Sequence, residues 1–365
     1  MKRTGISDLP LHGGKAPPWL FKRMVKLAGG VTEAIVLEYG QDEFLRRLSD
    51  PYWFQAFGCV LGFDWHSSGL TTTVTGALKE GLNSENVGIA FAGGKGRASR
   101  KTPSEILSLA EKFSLSTRQI EGMQYSSRMS AKVDNTAIQD GYQLYHHFFV
   151  FTERGKWTVV QQGMNPGNRY ARRYHWLSEN VQSFVEEPHT GIACDSRGQT
   201  VLDMTARKSL ETRKVSVDII KETQDFSRFA SRQSLLGDFI GQQPKILHMP
   251  KTHFILNMGK RDLETLRKAH DLQPENYEHL LGIHGVGPKT VRSLALISEV
   301  IYGTTPSWED PVKFSFAHGG KDAVPYEVDR ETYSKSIEIL RTGIEQAKLG
   351  QKERLEAIKR LHDFY

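Results

Sequence analysis

Glu275-Asn-Tyr-Glu-His-Leu-Leu-Gly-Ile-His-Gly-Val-Gly-Pro-Lys-Thr-Val-Arg-Ser-Leu-Ala-Leu-Ile-Ser298 holds two apolar runs around a tight turn, Gly285-Val286-Gly287. Its reading makes the C-terminal part of the chain helical. The first run ends in the glycines, and the second opens on Pro288, which suits a first helical turn because no intrahelical hydrogen bond is lost there. Two glycines let a backbone come close to a partner. The N–H groups of a helix start, at the positive end of its dipole, favour an anion. Lys289, Thr290 and Arg292 follow at once and add two charges and a hydroxyl beside that place. The plainer alternative is an ordinary helical corner with a glycine cap.

Working outward, amphipathic helices occupy the C-terminal part from about Val215. Ile219, Ile220, Phe226 and Phe229 share helical spacing, as do Leu235, Leu236 and Phe239. Ile337, Leu340, Ile344 and Ala347 mark a closing helix, broken at Gly350. The N-terminal part mixes periods. Phe21 to Val36, Asp42 to Leu48 and Thr71 to Leu82 read as helices. Val87 to Ala92, Tyr145 to Thr152, Trp157 to Gln162 and Val181 to Val185 read as strands. Arg154-Gly155 makes a two-residue hairpin turn, which sets His147 opposite Gln162. Thr102 with Glu105 predicts a helix cap. The expected architecture is an α/β (or α+β) N-terminal domain over residues 1–210, followed by an all-α domain over residues 211–365.

The chain of 365 residues has 38% hydrophobic and 25% charged residues, a globular composition. Its net charge is +6, and the basic residues cluster. Lys95, Arg97, Arg100 and Lys101 follow Gly93-Gly94, while Arg169, Arg172 and Arg173 alternate with aromatics. Both patterns fit a polyanion, the first through backbone amides and the second through stacking on unpaired bases. A solvated basic face or a buried aromatic cluster has the same appearance. Two cysteines, Cys59 and Cys194, provide neither a disulfide framework nor a thiolate zinc site. No run has membrane-spanning length and no signal-peptide core is visible, so a cytoplasmic protein is expected.

Candidate chemistry lies in the N-terminal part. Asp64, His66, His146, His147, Glu187 and His189 sit near expected strand ends and corners. Together they are a candidate set for a divalent cation, magnesium or manganese, which clamps the oxygens of a phosphodiester. Ser126 to Asp134 and Gln139 to Gln143 add Arg128 and Lys132 for transition-state charge, and Asp134 and Asp140 for metal or water. The candidate catalytic residues are therefore Asp64, His66, Lys132, Asp134, Asp140, His147 and Glu187. The Gly93 loop lacks the Walker spacing, and no Gly-x-Ser-x-Gly elbow occurs.

The stretch at 275–298 resembles the helix-hairpin-helix of DNA repair proteins, which implies DNA as partner, held by its backbone without sequence preference. The stretches Leu9 to Leu20, Leu61 to Gly69, Ser130 to Asp134, Gln161 to Asn165 and Tyr170 to Trp176 together resemble the prokaryotic domain-of-unknown-function family 763. That resemblance implies no mechanism. A narrower one, to helix-hairpin-helix DNA glycosylases with lyase activity, implies Lys289 as Schiff-base nucleophile with Asp310 assisting. Pro311 after that aspartate departs from the pattern. The expected function is a metal-dependent DNA nuclease of repair or replication, with proteins of those processes as further partners. The alternatives are the glycosylase/lyase and a non-enzymatic DNA-binding protein.

Overall fold

A computed structural model describes residues 16–64, 67–194, 200–226, 259–312 and 330–362. Helices occupy both ends of the chain and a five-stranded sheet its middle. The N-terminal helices are α1 (Pro18–Tyr39), α2 (Gln41–Ser49), α3 (Pro51–Leu61), α4 (Gly69–Gly81) and the short α5 (Ser84–Val87). Asp50 starts α3 by accepting the Tyr52 and Trp53 N–H groups, and Pro51 occupies its first turn. The sheet follows in the order β1 (Ile89–Lys95), β3 (Gln143–Thr152), β4 (Trp157–Asn165), β5 (Tyr170–Leu177), β6 (His189–Ala193). Between β1 and β3 come a 3-10 turn (Gly96–Lys101), α6 (Thr102–Lys112), α7 (Thr117–Lys132) and a π turn (Val133–Ala137). A two-stranded ribbon pairs β2 (Ile138–Gln139) with β7 (Leu202–Asp203). The later helices are α8 (Leu210–Glu222), α9 (Lys260–Leu272), α10 (Tyr277–Gly282), α11 (Pro288–Tyr302), α12 (Arg330–Gln346) and α13 (Gln351–His362).

Every pairing in the five-stranded sheet is antiparallel, so of the two expected forms the parallel α/β one does not apply. Because side chains alternate across a strand, the sheet has two apolar faces. Ile89, Phe91, Phe148, Val150 and Val160 pack with α1 to α4 and, from the other end of the chain, with Ile339, Leu340 and Ile344 of α12 and Leu361 of α13. Ala90, Ala92, Phe149, Phe151, Val159 and Trp176 pack with α6, α7, α8 and the α9–α11 group. The protein is a helix–sheet–helix sandwich in which both outer layers draw on distant parts of the chain. Burial on both faces explains why Phe148 to Phe151 is an unbroken apolar run.

Four local expectations need correction. The hairpin loop has three residues, Glu153, Arg154 and Gly155, with Gly155 at φ +82° and the Thr152 N–H donating to the Lys156 carbonyl. A type I turn followed by a left-handed glycine is the favoured three-residue form. It pairs His147 with Gln161, not with Gln162. Residues 181–185 form no strand. Phe184 instead lies against Trp157, Trp176 and Tyr125, as a plug over the sheet. Thr102 does not cap α6; its hydroxyl donates to the Ser99 carbonyl, while Glu105 accepts the Gly93 N–H and pairs with Lys79. Tyr170 to Trp176 is strand β5, not a surface patch. The expected helix through Phe229 to Phe239 lies outside the described residues.

Candidate functional site

Three stretches singled out by sequence line one cavity of about 660 Å³. The 3-10 turn contributes Ser99 and Arg100, and the end of α7 contributes Ser127, Arg128, Ala131 and Lys132. The turn before α11 contributes Gly285, Val286, Gly287 and Pro288. Tyr145, His146 and His147 at the start of β3 complete the wall. Among the described residues no aspartate or glutamate lines this cleft, and three cationic side chains do. Lys95 stands over the Tyr145 ring, 5.9 Å from its centroid, and puts a cation and an aromatic face side by side. Arg97 and Lys101 are exposed on the same basic turn.

The turn is held from below. Gly285 has φ +100°, and a Cβ there would lie 3.0 Å from the Thr265 hydroxyl, so glycine is needed on both counts. Val286 is fully buried, and its carbonyl accepts from Lys132 Nζ, which ties α7 to the turn. Gln139 donates to the Pro288 carbonyl at 2.7 Å and accepts from Arg292 Nε at 2.8 Å. Arg292 is thus an interior residue and does not face the solvent, and burial lowers its guanidinium to about 10. Lys289 pairs with Asp262 at 2.6 Å, and Thr290 is buried. Burial also lowers the Lys132 ammonium below its usual range.

A polar chain runs from Ser127 and His147 on the cleft wall into the core. Ser127 Oγ lies 2.8 Å from His147 Nε2, and His147 Nδ1 lies 2.7 Å from Gln161 Oε1. Gln161 Nε2 donates to Asp134 Oδ2 at 2.6 Å, and Trp176 Nε1 donates to the same oxygen at 3.0 Å. His189 Nε2 lies 2.5 Å from the other Asp134 oxygen. Burial pushes the Asp134 carboxyl up, and His189 and the two donors oppose it. Of this chain, His147, Asp134 and His189 were singled out as candidates. Ser127 was read only as part of a polar stretch, and Gln161 was missed as a partner because a two-residue turn puts it on the other face of the sheet.

The remaining candidates are dispersed. His146 points to the opposite face, where Nε2 meets Thr75 Oγ1 at 3.1 Å and burial holds the ring down at about 3. Asp140 is taken up with Arg172 and Tyr174 at 2.8 and 2.6 Å. Asp64 is exposed in the loop after α3, and His66 lies outside the described residues. Glu187 is exposed and 3.4 Å from Arg207. Among the described residues no group of three or more His, Cys, Asp and Glu is placed to hold a metal ion. The described members of the expected ligand set therefore do not converge, because alternation sends His146 and His147 to different layers.

Arg172 and Arg173 also need correction as surface cations. Arg172 is buried between Asp140 and Asp310, and Arg173 is buried against Gln55, the Pro51 carbonyl and His175. Both sit on a strand covered on each face. Only Arg169 of that group is exposed, at a left-handed turn. Asp310 is engaged by Arg172, and Lys289 by Asp262, so no ion pair joins Lys289 to Asp310.

Fold and site together define an antiparallel sheet between two helical layers, with a cationic cleft at one sheet end. The family model described as protein of unknown function (DUF763) matches residues 5–328, and the chain belongs to that family. No curated protein and no solved structure matches it. Among the described residues no helix is long and apolar enough to cross a membrane.

Proposed function

We propose that the protein binds DNA by its sugar-phosphate backbone in this cleft, and that phosphodiester cleavage takes place there. One observation carries the reading: the basic 3-10 turn, the Arg128–Lys132 end of α7 and the glycine turn before α11 line a single cavity, with no carboxylate on it among the described residues. The α10–turn–α11 unit then acts as a helix-hairpin-helix, offering first-turn N–H groups to a phosphate. Arg100 and Arg128 supply exposed charge on the facing wall. Such contacts position a strand without reading its sequence. Metal-dependent cutting has less support, since His146 and His147, two of the expected ligands, face opposite layers of the sheet.

Fluorescence anisotropy of labelled single-stranded and duplex oligonucleotides over a salt series tests this. Affinity should fall steeply with salt and vary little with sequence. Arg128→Glu should weaken binding about tenfold or more and reduce the logarithmic salt slope by about one per lost phosphate contact. Unchanged affinity in Arg128→Glu and in Arg100→Glu would remove the cleft from consideration as the binding site.

A further inference from the structure

The polar chain that starts at the cleft wall has one direction. An indole N–H only donates, so Asp134 Oδ2 is an acceptor. Gln161 must present its amide nitrogen to that oxygen, and its carbonyl oxygen therefore faces His147. His147 Nδ1 then carries the proton, which leaves Nε2 as a bare acceptor toward Ser127. The Ser127 hydroxyl is the donor. Its neighbour Ser126 bonds back to the Gly122 carbonyl within α7, as helical serines commonly do, whereas Ser127 reaches across to β3.

We propose that Ser127 is a nucleophile activated by His147, with Gln161 and Asp134 positioning the imidazole, and that its target is the phosphodiester held in the cleft. This rests on the backbone-binding reading above. In the step, Ser127 Oγ bonds to phosphorus as the bond from phosphorus to one sugar oxygen breaks. The hydroxyl proton passes to His147 Nε2 and then to the departing sugar oxygen. Water afterwards bonds to phosphorus as the bond from phosphorus to Ser127 Oγ breaks; His147 Nε2 takes the water proton and passes it to Oγ, which restores the serine. Lys132 and Arg128 line the same wall and offset the charge that gathers on the phosphoryl oxygens. Burial lowers the His147 ring to about 4, so it is neutral near pH 7 but a weak base before a ligand binds, and the negative charge of a bound phosphodiester would raise it. The arrangement has the order of a nucleophile, a base and an orienting group, with an amide where a carboxylate is commoner.

A tagged fluorophosphonate incubated with the full chain at neutral pH reads the nucleophile directly. Peptide mass spectrometry should find the adduct on Ser127, and Ser127→Ala should abolish it. His147→Asn and Gln161→Leu should slow labelling about tenfold or more while circular dichroism stays native. If Ser127→Ala fails to fold, Ser127→Cys serves instead: its thiol, on the cleft wall and beside His147, should be alkylated by iodoacetamide far faster than Cys59 and Cys194, and that advantage should disappear with His147→Asn. No adduct on Ser127 of the folded protein, or equal labelling in His147→Asn, overturns the proposal. Anisotropy run in parallel separates the two readings. Binding without an adduct sinks the nucleophile alone, and an adduct without binding upholds it while sinking DNA as the ligand.

Discussion

His147 carries the most consequence of any single residue. Its position on β3 sets which helix it meets, and that depended on the three-residue hairpin loop, which one glycine decides. The ring titrates near pH 6.5 when exposed and at about 4 when folded. The unfolded chain therefore binds more protons than the folded one between these values. Stability contributed by neutral His147 is full above about pH 6.5 and is lost as pH falls through the window towards 4. His146, held at about 3, adds in the same direction. Comparing the melting of the wild type with that of His147→Gln from neutral pH to pH about 4 isolates this share, worth a few kcal/mol, from the opposite contribution of raised carboxyls such as Asp134. His147→Gln should lose less stability towards acid than the wild type; an unchanged pH dependence would mean that the ring is solvated.

Between elements, close approach decides more than propensity. An ideal Cβ at Gly29 of α1 would lie 2.3 Å from the Gly81 carbonyl oxygen, and one at Gly81 of α4 would lie 2.3 Å from the Val25 carbonyl oxygen. The two helices touch backbone to backbone, so Gly81→Ala should cost about 3 kcal/mol, measurable by urea denaturation. A loss within error would mean that the helices separate freely. Gly285→Val, with φ +100° and the Thr265 hydroxyl in the way, should destabilise the turn and weaken oligonucleotide binding about uniformly across sequences. Sequence-specific loss would point to base contacts instead. At this scale the sequence was informative where period and punctuation agreed. The helices at 18–39 and 41–49, the β3–β4 hairpin and the break at Gly350 were all legible. Residues 170–177 were not, because a strand buried on both faces that carries Arg172, Arg173 and His175 reads like an exposed basic stretch. Pairing of Arg172 with Asp140 and Asp310, and of Arg173 with Gln55 and the Pro51 carbonyl, all from distant elements, makes burial tolerable.

Over the whole molecule, both ends of the chain build one layer. Ile339, Leu340 and Ile344 fill the core with Val31, Ile35 and Phe44, so removal of residues 330–365 should expose this surface and leave the remainder unstable. A truncated chain with native Tm would show that α12 and α13 are dispensable. The opposite layer holds the cleft, assembled from residues more than 180 apart in sequence, Arg100 and Gly285 among them. Each phosphate-seeking stretch was visible alone, from its glycines and cations. Their meeting was not, since it depends on how α7 and α11 pack on the sheet. The described members of the expected metal set lie apart for a related reason: neighbours in sequence on a strand face opposite layers. Amide hydrogen exchange with and without a saturating oligonucleotide tests the central claim most directly. Protection should rise at 93–101, at the C-terminal half of α7 and at 283–291, with α1 to α4 and α12 to α13 unchanged. Protection confined to the α1–α13 layer, or absent from all three stretches while DNA is bound, would contradict the assignment of the cleft.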